Sequence, residues 1–111
     1  PTVVSARLLG TPASRGQYTG RLQVVRGLDD ASKVQGGDVL AIPFSDVGWT
    51  PLFAHAGAIV AESGGTLSHA SIIAREYGLP AVVSVAGACS LRSGLTVTVD
   101  GYRGEVIVHD L

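Results

Sequence analysis

Gly64-Gly65-Thr66-Leu67-Ser68-His69-Ala70, continuing without a break into Ser71-Ile72-Ile73-Ala74-Arg75-Glu76-Tyr77, is the stretch from which the rest of the chain can be read. Two glycines lead into a helix predicted from about Leu67 to Tyr77. Gly78 and Pro80 close it, because glycine accepts the left-handed backbone of a helix end and proline cannot continue the ladder. A histidine falls in the first turn, where unpaired N–H groups and the positive end of the helix dipole favour an anion. An imidazole placed there can act as a nucleophile toward phosphorus, and the group it accepts is stabilised where it lands. His69 is therefore the candidate phosphorylated histidine. Gly64 and Gly65 would let backbone amides approach the phosphate, and Ser68 is suited to cap the helix or donate to a phosphate oxygen.

At about 100° per residue, Leu67, Ala70, Ile73, Ala74 and Tyr77 form one apolar stripe, with Ser68, Ser71 and Arg75 opposite. Ile72 stands outside the stripe beside His69, which makes it a candidate docking residue. Arg75 is read as a salt-bridge or docking residue rather than a phosphate ligand.

Upstream, strands are predicted at Val3 to Leu9 and Tyr18 to Arg26, separated by a turn or loop from Gly10 to Gly16, with Gly20 marking a bulge. A helical turn is expected from Asp29 to Val34. Buried strands are expected at Asp38 to Pro43, Ala58 to Ala61 and Ala81 to Val85. A short helix is predicted from Trp49 to Ala56, with Thr50 at its cap and Pro51 at its first position. Residues 97–101 and 104–108 read as a closing hairpin. This alternation predicts an α/β class and a β-sandwich-like core with the histidine at the start of a helix.

The 111 residues are 46% hydrophobic and 15% charged, enough apolar content to bury a core as one domain, 1–111. A net charge of -1 gives no footprint for nucleic acid or an anionic membrane, and no apolar run is long enough to span a bilayer. Cys89 is the one cysteine; with small apolar neighbours it reads as a buried structural thiol, and its solitude weakly favours a cytoplasmic setting. His55 is read as structural or exposed, and His109 as solvated. No metal site is expected from three scattered histidines and one cysteine. Asp46 and Trp49 are read as loop and core positions, with a functional role left open. The chain opens on Pro1, and the expectation is a piece of a longer multidomain protein.

From Gly64 to Val83 the sequence resembles the phosphohistidine, or swivelling, domain of phosphoenolpyruvate-utilising enzymes, a group that includes phosphoenolpyruvate synthase, pyruvate phosphate dikinase and the rifampin phosphotransferases. The family pattern is two glycines, a small residue before the histidine, and an Ile-Ile-Ala-Arg-Glu run closing on Gly-Leu-Pro-Ala-Val, as here at Ile72 to Val82. Asp46 to Phe53 and the segments at Val97 and Gly104 extend the resemblance to roughly residues 5 to 108. It implies a swivelling β/β/α fold and a carrier that moves phosphate between an ATP-grasp nucleotide-binding domain and an acceptor-binding domain. It further implies that Mg²⁺ and ATP sit on the partner domain and that no cofactor sits on this one. No G-x-x-x-x-G-K-[ST] motif is present and Lys33 is the one lysine, in keeping with that division. Where synthases and dikinases carry a threonine phosphorylated by a regulatory protein, this chain has Leu67, so that control is not carried over. Thr66 is one place early and would be turned about 100° away. The leading expectation is a dikinase-type phosphotransferase passing phosphate to pyruvate, an antibiotic hydroxyl or a related acceptor. A stand-alone phosphocarrier and a non-catalytic binding module of the same fold are the alternatives.

Overall fold

The computed structural model describes residues 4–45 and 47–109. Eight strands and two α-helices follow in the order β1 (Val4–Leu9), β2 (Thr11–Ser14), β3 (Gln17–Val24), β4 (Val39–Ile42), α1 (Thr50–Phe53), β5 (Ala58–Ala61), α2 (His69–Tyr77), β6 (Ala81–Val83), β7 (Thr96–Asp100) and β8 (Glu105–His109). The strands lie in the order β1-β8-β7-β3-β4-β5-β6-β2. β3 changes partner half-way along its length. Gln17 to Arg21 pair antiparallel with β7, while Leu22 to Val24 pair parallel with β4.

β1 and β2 occupy opposite ends of that order, yet Gly10 alone separates them in the chain. The sheet must therefore roll until its two ends meet, which produces the sandwich-like, swivelling β/β/α architecture. Gly10 is where this is possible: a Cβ there would lie 2.5 Å from the Val83 carbonyl oxygen. The Gly10 amide instead donates to the Gly104 carbonyl at 2.8 Å.

The middle strands β4, β5 and β6 are parallel and buried throughout, as the apolar runs require when both faces are covered. Alternation splits them between two cores. Leu40, Ile42, Ile59, Ala61, Ala81 and Val83 face the helices, packing with Phe53, Ala70 and Ala74. Val39, Ala41, Ala58, Val60 and Val82 face the antiparallel half, meeting Val97, Val99, Val106 and Val108.

Several local expectations are corrected. Residues 11–14 are a strand, not a loop: β2 is an edge strand held only by β6, a position that tolerates Pro12 and that no local signal announces. Gly20 is not a bulge, since its pairing with β7 is regular; its missing side chain makes room for the Tyr18 ring. Trp49 rather than Thr50 is the residue before the first turn of α1, which ends at Phe53. The buried face of α2 is Ala70, Ser71 and Ala74, whereas Leu67 precedes the helix and is exposed, as is Tyr77. Small residues win this face because α2 packs closely over β2, β5 and β6. His109 is half-buried rather than solvated, with Nε2 2.7 Å from the Thr98 hydroxyl.

Cys89 is buried, and its amide donates to Glu62 Oε2 at 2.8 Å. Burial, reinforced by the Glu62 charge, pushes its thiol up to about 11. At pH 8 the thiolate fraction should be about a hundred times smaller than for a free cysteine of pKa 9.0. Iodoacetamide should therefore leave Cys89 unlabelled in the native protein and label it at once in denaturant. Because the unfolded thiol ionises first, stability should fall as pH rises from about 9 toward 11.

Candidate functional site

Three parallel strands in register deliver three loops to one end of the sheet. After β4 comes Pro43-Phe44-Ser45, after β5 Glu62-Ser63-Gly64-Gly65, and after β6 Ser84. In open α/β sheets the carboxyl ends of parallel strands are where ligands collect, and here those ends surround His69.

Ser68 is the N-cap of α2, its hydroxyl accepting from the Ser71 amide at 3.4 Å, so His69 is the first helical residue. Helix geometry gives the amides of His69 and Ala70 no internal acceptor, and none of the described residues replaces it. The ring of His69 is half-buried against Phe53, with centroids 6.4 Å apart. Its Nδ1 lies 2.5 Å from Ser45 Oγ. With Nδ1 so engaged, Nε2 is the nitrogen left for chemistry, and a proton on Nδ1 donated to Ser45 would leave the Nε2 lone pair available.

The loop before His69 is held by its carbonyls. Gly64 C=O accepts from Ser84 Oγ at 2.5 Å, and Gly65 C=O accepts from Ser71 Oγ at 2.6 Å and from the Ser68 amide at 3.0 Å. Thr66 C=O accepts from an Arg75 Nη. Gly64 takes φ 111°, a conformation that disfavours a side chain, and a Cβ there would meet Ser68 Oγ at 2.9 Å. Space is open above Gly65. Ser84 itself sits at φ 58°, a left-handed backbone costing a non-glycine residue about 1–2 kcal/mol, so its hydroxyl is delivered at a cost that the packing around it must offset.

Arg75 donates from Nε to the Ala13 carbonyl at 2.9 Å as well as to Thr66, clamping the histidine loop to β2. Of the two roles expected of Arg75, salt bridge or docking, the first is not formed: among the described residues the ion pairs are Arg7–Glu105, Arg21–Asp38 and Lys33–Asp30. Ile72 is 42% exposed one turn from His69, and Leu67 is 84% exposed two residues before it. Phe44, 54% exposed beside Ser45, stacks on buried Trp49 with centroids 5.8 Å apart. Each of these exposed apolar side chains lies within three residues in the chain of His69 or of Ser45, and together they are the apolar rim of the site. His55 is exposed and away from these contacts, and Asp46 lies outside the described residues. Among the described residues no three His, Cys, Asp or Glu side chains cluster as a metal would need.

Ser45 and Ser84 escaped the sequence reading, and Ser71, expected opposite the apolar stripe, is instead fully buried. Ser45 and Ser84 do share a signal: each follows closely on a buried apolar run, at the strand end where sites form.

Residues 34–104 match the mobile domain of PEP-utilising enzymes. The chain belongs to that family. It is 43% identical over 102 residues to a rifampicin phosphotransferase of Bacillus cereus, covering 91% of this chain and 12% of that protein. A phosphoenolpyruvate synthase of Aeropyrum pernix is 46% identical over 99 residues, covering 87% of this chain and again 12% of the relative. The chain thus spans about an eighth of the length of these relatives. The solution structure of the Enzyme I protein nEIt superposes with a TM-score of 0.60 at 28% identity, over 70% of this chain and 33% of that one. By name one of these relatives is a phosphotransferase and the other a synthase, and this mobile domain corresponds to one part of each.

The clamp on the mobile domain's histidine loop is testable. Two hydrogen bonds to backbone carbonyls from an exposed, solvent-screened side chain are together worth about 1–3 kcal/mol. Arg75→Ala should lower stability in urea unfolding by about 2 kcal/mol. Amide hydrogen exchange should accelerate in residues 64–68 more than in β4 and β5.

Proposed function

We propose that this mobile domain is the phosphoryl carrier of a multidomain, dikinase-type phosphotransferase, with His69 Nε2 as the atom that carries the group. The observation that supports this best is the placement of His69 at the first position of α2, Nδ1 engaged by Ser45 and Nε2 without a partner among the described residues. Mg²⁺ and ATP would be held by an ATP-grasp domain elsewhere in the chain, which positions a nucleotide phosphorus in line with Nε2. The Nε2 lone pair forms the new N–P bond as the P–O bond to the nucleotide leaving group breaks. The ring becomes cationic as this happens, and the Nδ1–H donation to Ser45 strengthens with it. The free amides of His69 and Ala70, with Gly64, Gly65 and Ser68, stabilise the bound phosphoryl oxygens. The apolar rim, Ile72 included, docks against partner domains and keeps water from the labile N–P bond. An acceptor-binding domain then presents pyruvate, an antibiotic hydroxyl or a related nucleophile, and the reverse displacement frees His69. A cytoplasmic setting suits this use of ATP.

The full-length parent protein, given Mg²⁺ and ATP labelled separately at the β and γ positions, should retain acid-labile, base-stable label from the β position on His69, and His69→Ala should retain none. Absence of label from folded protein with a working nucleotide site would point to a binding module instead. Ser45→Ala should slow labelling roughly tenfold, the value of one hydrogen bond of about 1.4 kcal/mol. It should also spread phosphate between the two ring nitrogens, which ³¹P NMR distinguishes and a general loss of stability would not produce.

A further inference from the structure

We propose that a second surface of this domain, the cleft between β2, the β7–β8 turn and the flank of α2, is a docking socket for a carboxylate-bearing segment of a neighbouring domain of the same chain. The proposal rests on the multidomain reading above, though not on which atom carries phosphate.

The cleft has a volume of about 530 Å³ and is lined chiefly by Pro12, Ser14, Arg15, Arg75, Gly101 and Tyr102. At Gly101 the β7–β8 turn closes on the end of β2: a Cβ there would lie 1.8 Å from the Ser14 carbonyl oxygen, an approach that only glycine permits. The Gly101 amide fixes this approach by donating to Gly16 C=O at 2.8 Å. Tyr102, 63% exposed, forms an aromatic wall.

Among the described residues two guanidinium groups line this space and no carboxylate does. Asp100, next to Gly101, is committed to its own turn: it accepts from the amides of Tyr102 and Arg103 at 2.9 and 3.1 Å and from the Gln17 side chain at 3.0 Å. Arg15 has no hydrogen-bond or ion-pair partner among the described residues. Arg75 uses Nε and one Nη hydrogen on Ala13 and Thr66, leaving three of its five N–H donors at the outer end of the fork. That outer edge is the one a carboxylate meets with two parallel hydrogen bonds. Arginine and tyrosine are also the residue types that dominate protein–protein contacts. A small inorganic anion would satisfy the cations but leave the Tyr102 and Pro12 walls bare, which favours a peptide segment.

His69 and Arg75 are six residues apart on α2, about 240° around its axis, so a grip on the cleft leaves the histidine face free. The occupant would rest against the same guanidinium that holds the histidine loop.

The test uses the full-length parent with Arg15→Lys, an exposed and unpartnered position, treated with a water-soluble carbodiimide that couples an amine only to a carboxylate in contact. Peptide mass spectrometry should find position 15 joined to an Asp or Glu outside residues 1–111. No such link should form in wild type, and 1 M NaCl should reduce it about tenfold by screening. Lys33, 3.2 Å from Asp30, is the internal positive control. Links confined to residues 1–111, a covalent dimer, or no link at position 15 would each overturn the socket. Loss of an outside link on adding 10 mM inorganic phosphate, without any effect of an equal ionic strength of NaCl, would overturn it in favour of a small-anion site. His69 labelling on the same preparation separates the two ideas: label without a link leaves the carrier standing and removes the socket, and a link without label does the opposite.

Discussion

Everything about the site depends on burying β4, β5 and β6 on both faces. A parallel trio can exist in so short a chain only if each strand is apolar on both sides and something covers each side. Here α1 and α2 cover one face, and the antiparallel strands that follow the turn of β3 cover the other. The register Ile42 to Ala61 and Val60 to Val82 brings the strand ends level, and the three following loops have nowhere to go but together. The Glu62 amide donates to Ile42 C=O, and the Ser63 amide and hydroxyl both donate to Pro43 C=O, carrying the join past the strands and bringing Ser45 up to His69.

A second consequence is the division of labour between main chain and side chain around the histidine. The carbonyls of Gly64, Gly65 and Thr66 are all occupied by hydroxyl or guanidinium donors from Ser84, Ser71 and Arg75. The first-turn amides of His69 and Ala70 have no acceptor among the described residues. A loop fixed by its acceptors and open at its donors is already arranged for an anion, so little ordering entropy remains to oppose binding. Ser71 shows how a polar residue enters the core: fully buried, it is satisfied by the Gly65 carbonyl.

The Arg75 clamp links this site to the edge of the sheet. One guanidinium reaches the histidine loop, β2 and the cleft beside Tyr102. The proposed socket and the histidine loop therefore share one side chain, Arg75, that is not the histidine itself.

Local chemistry was enough to place the pieces that obey short-range rules. The run from Gly64 to Pro80 announces a capped helix with a histidine at its start, because glycine, serine and proline act through their own backbone and nearest neighbours. The buried apolar runs announce β4, β5 and β6 for a similar reason: a strand covered on both faces must be hydrophobic at every position. Residues 11–14 gave no such sign, since an edge strand is defined by the partner it finds in β6, more than sixty residues away. The same holds for Ser45 and Ser84, whose hydroxyls count only after strand register has brought them to His69 and Gly64. Helical periodicity turned Arg75 outward, where it is exposed, but buried Tyr77, which is not; close packing on β2 favoured small residues below and gave the guanidinium two carbonyls to hold. The sequence thus settled which residue stands at the helix start and why an anion would suit it. Which side chains orient that residue was decided by contacts between distant strands, a matter of register that no local pattern encodes.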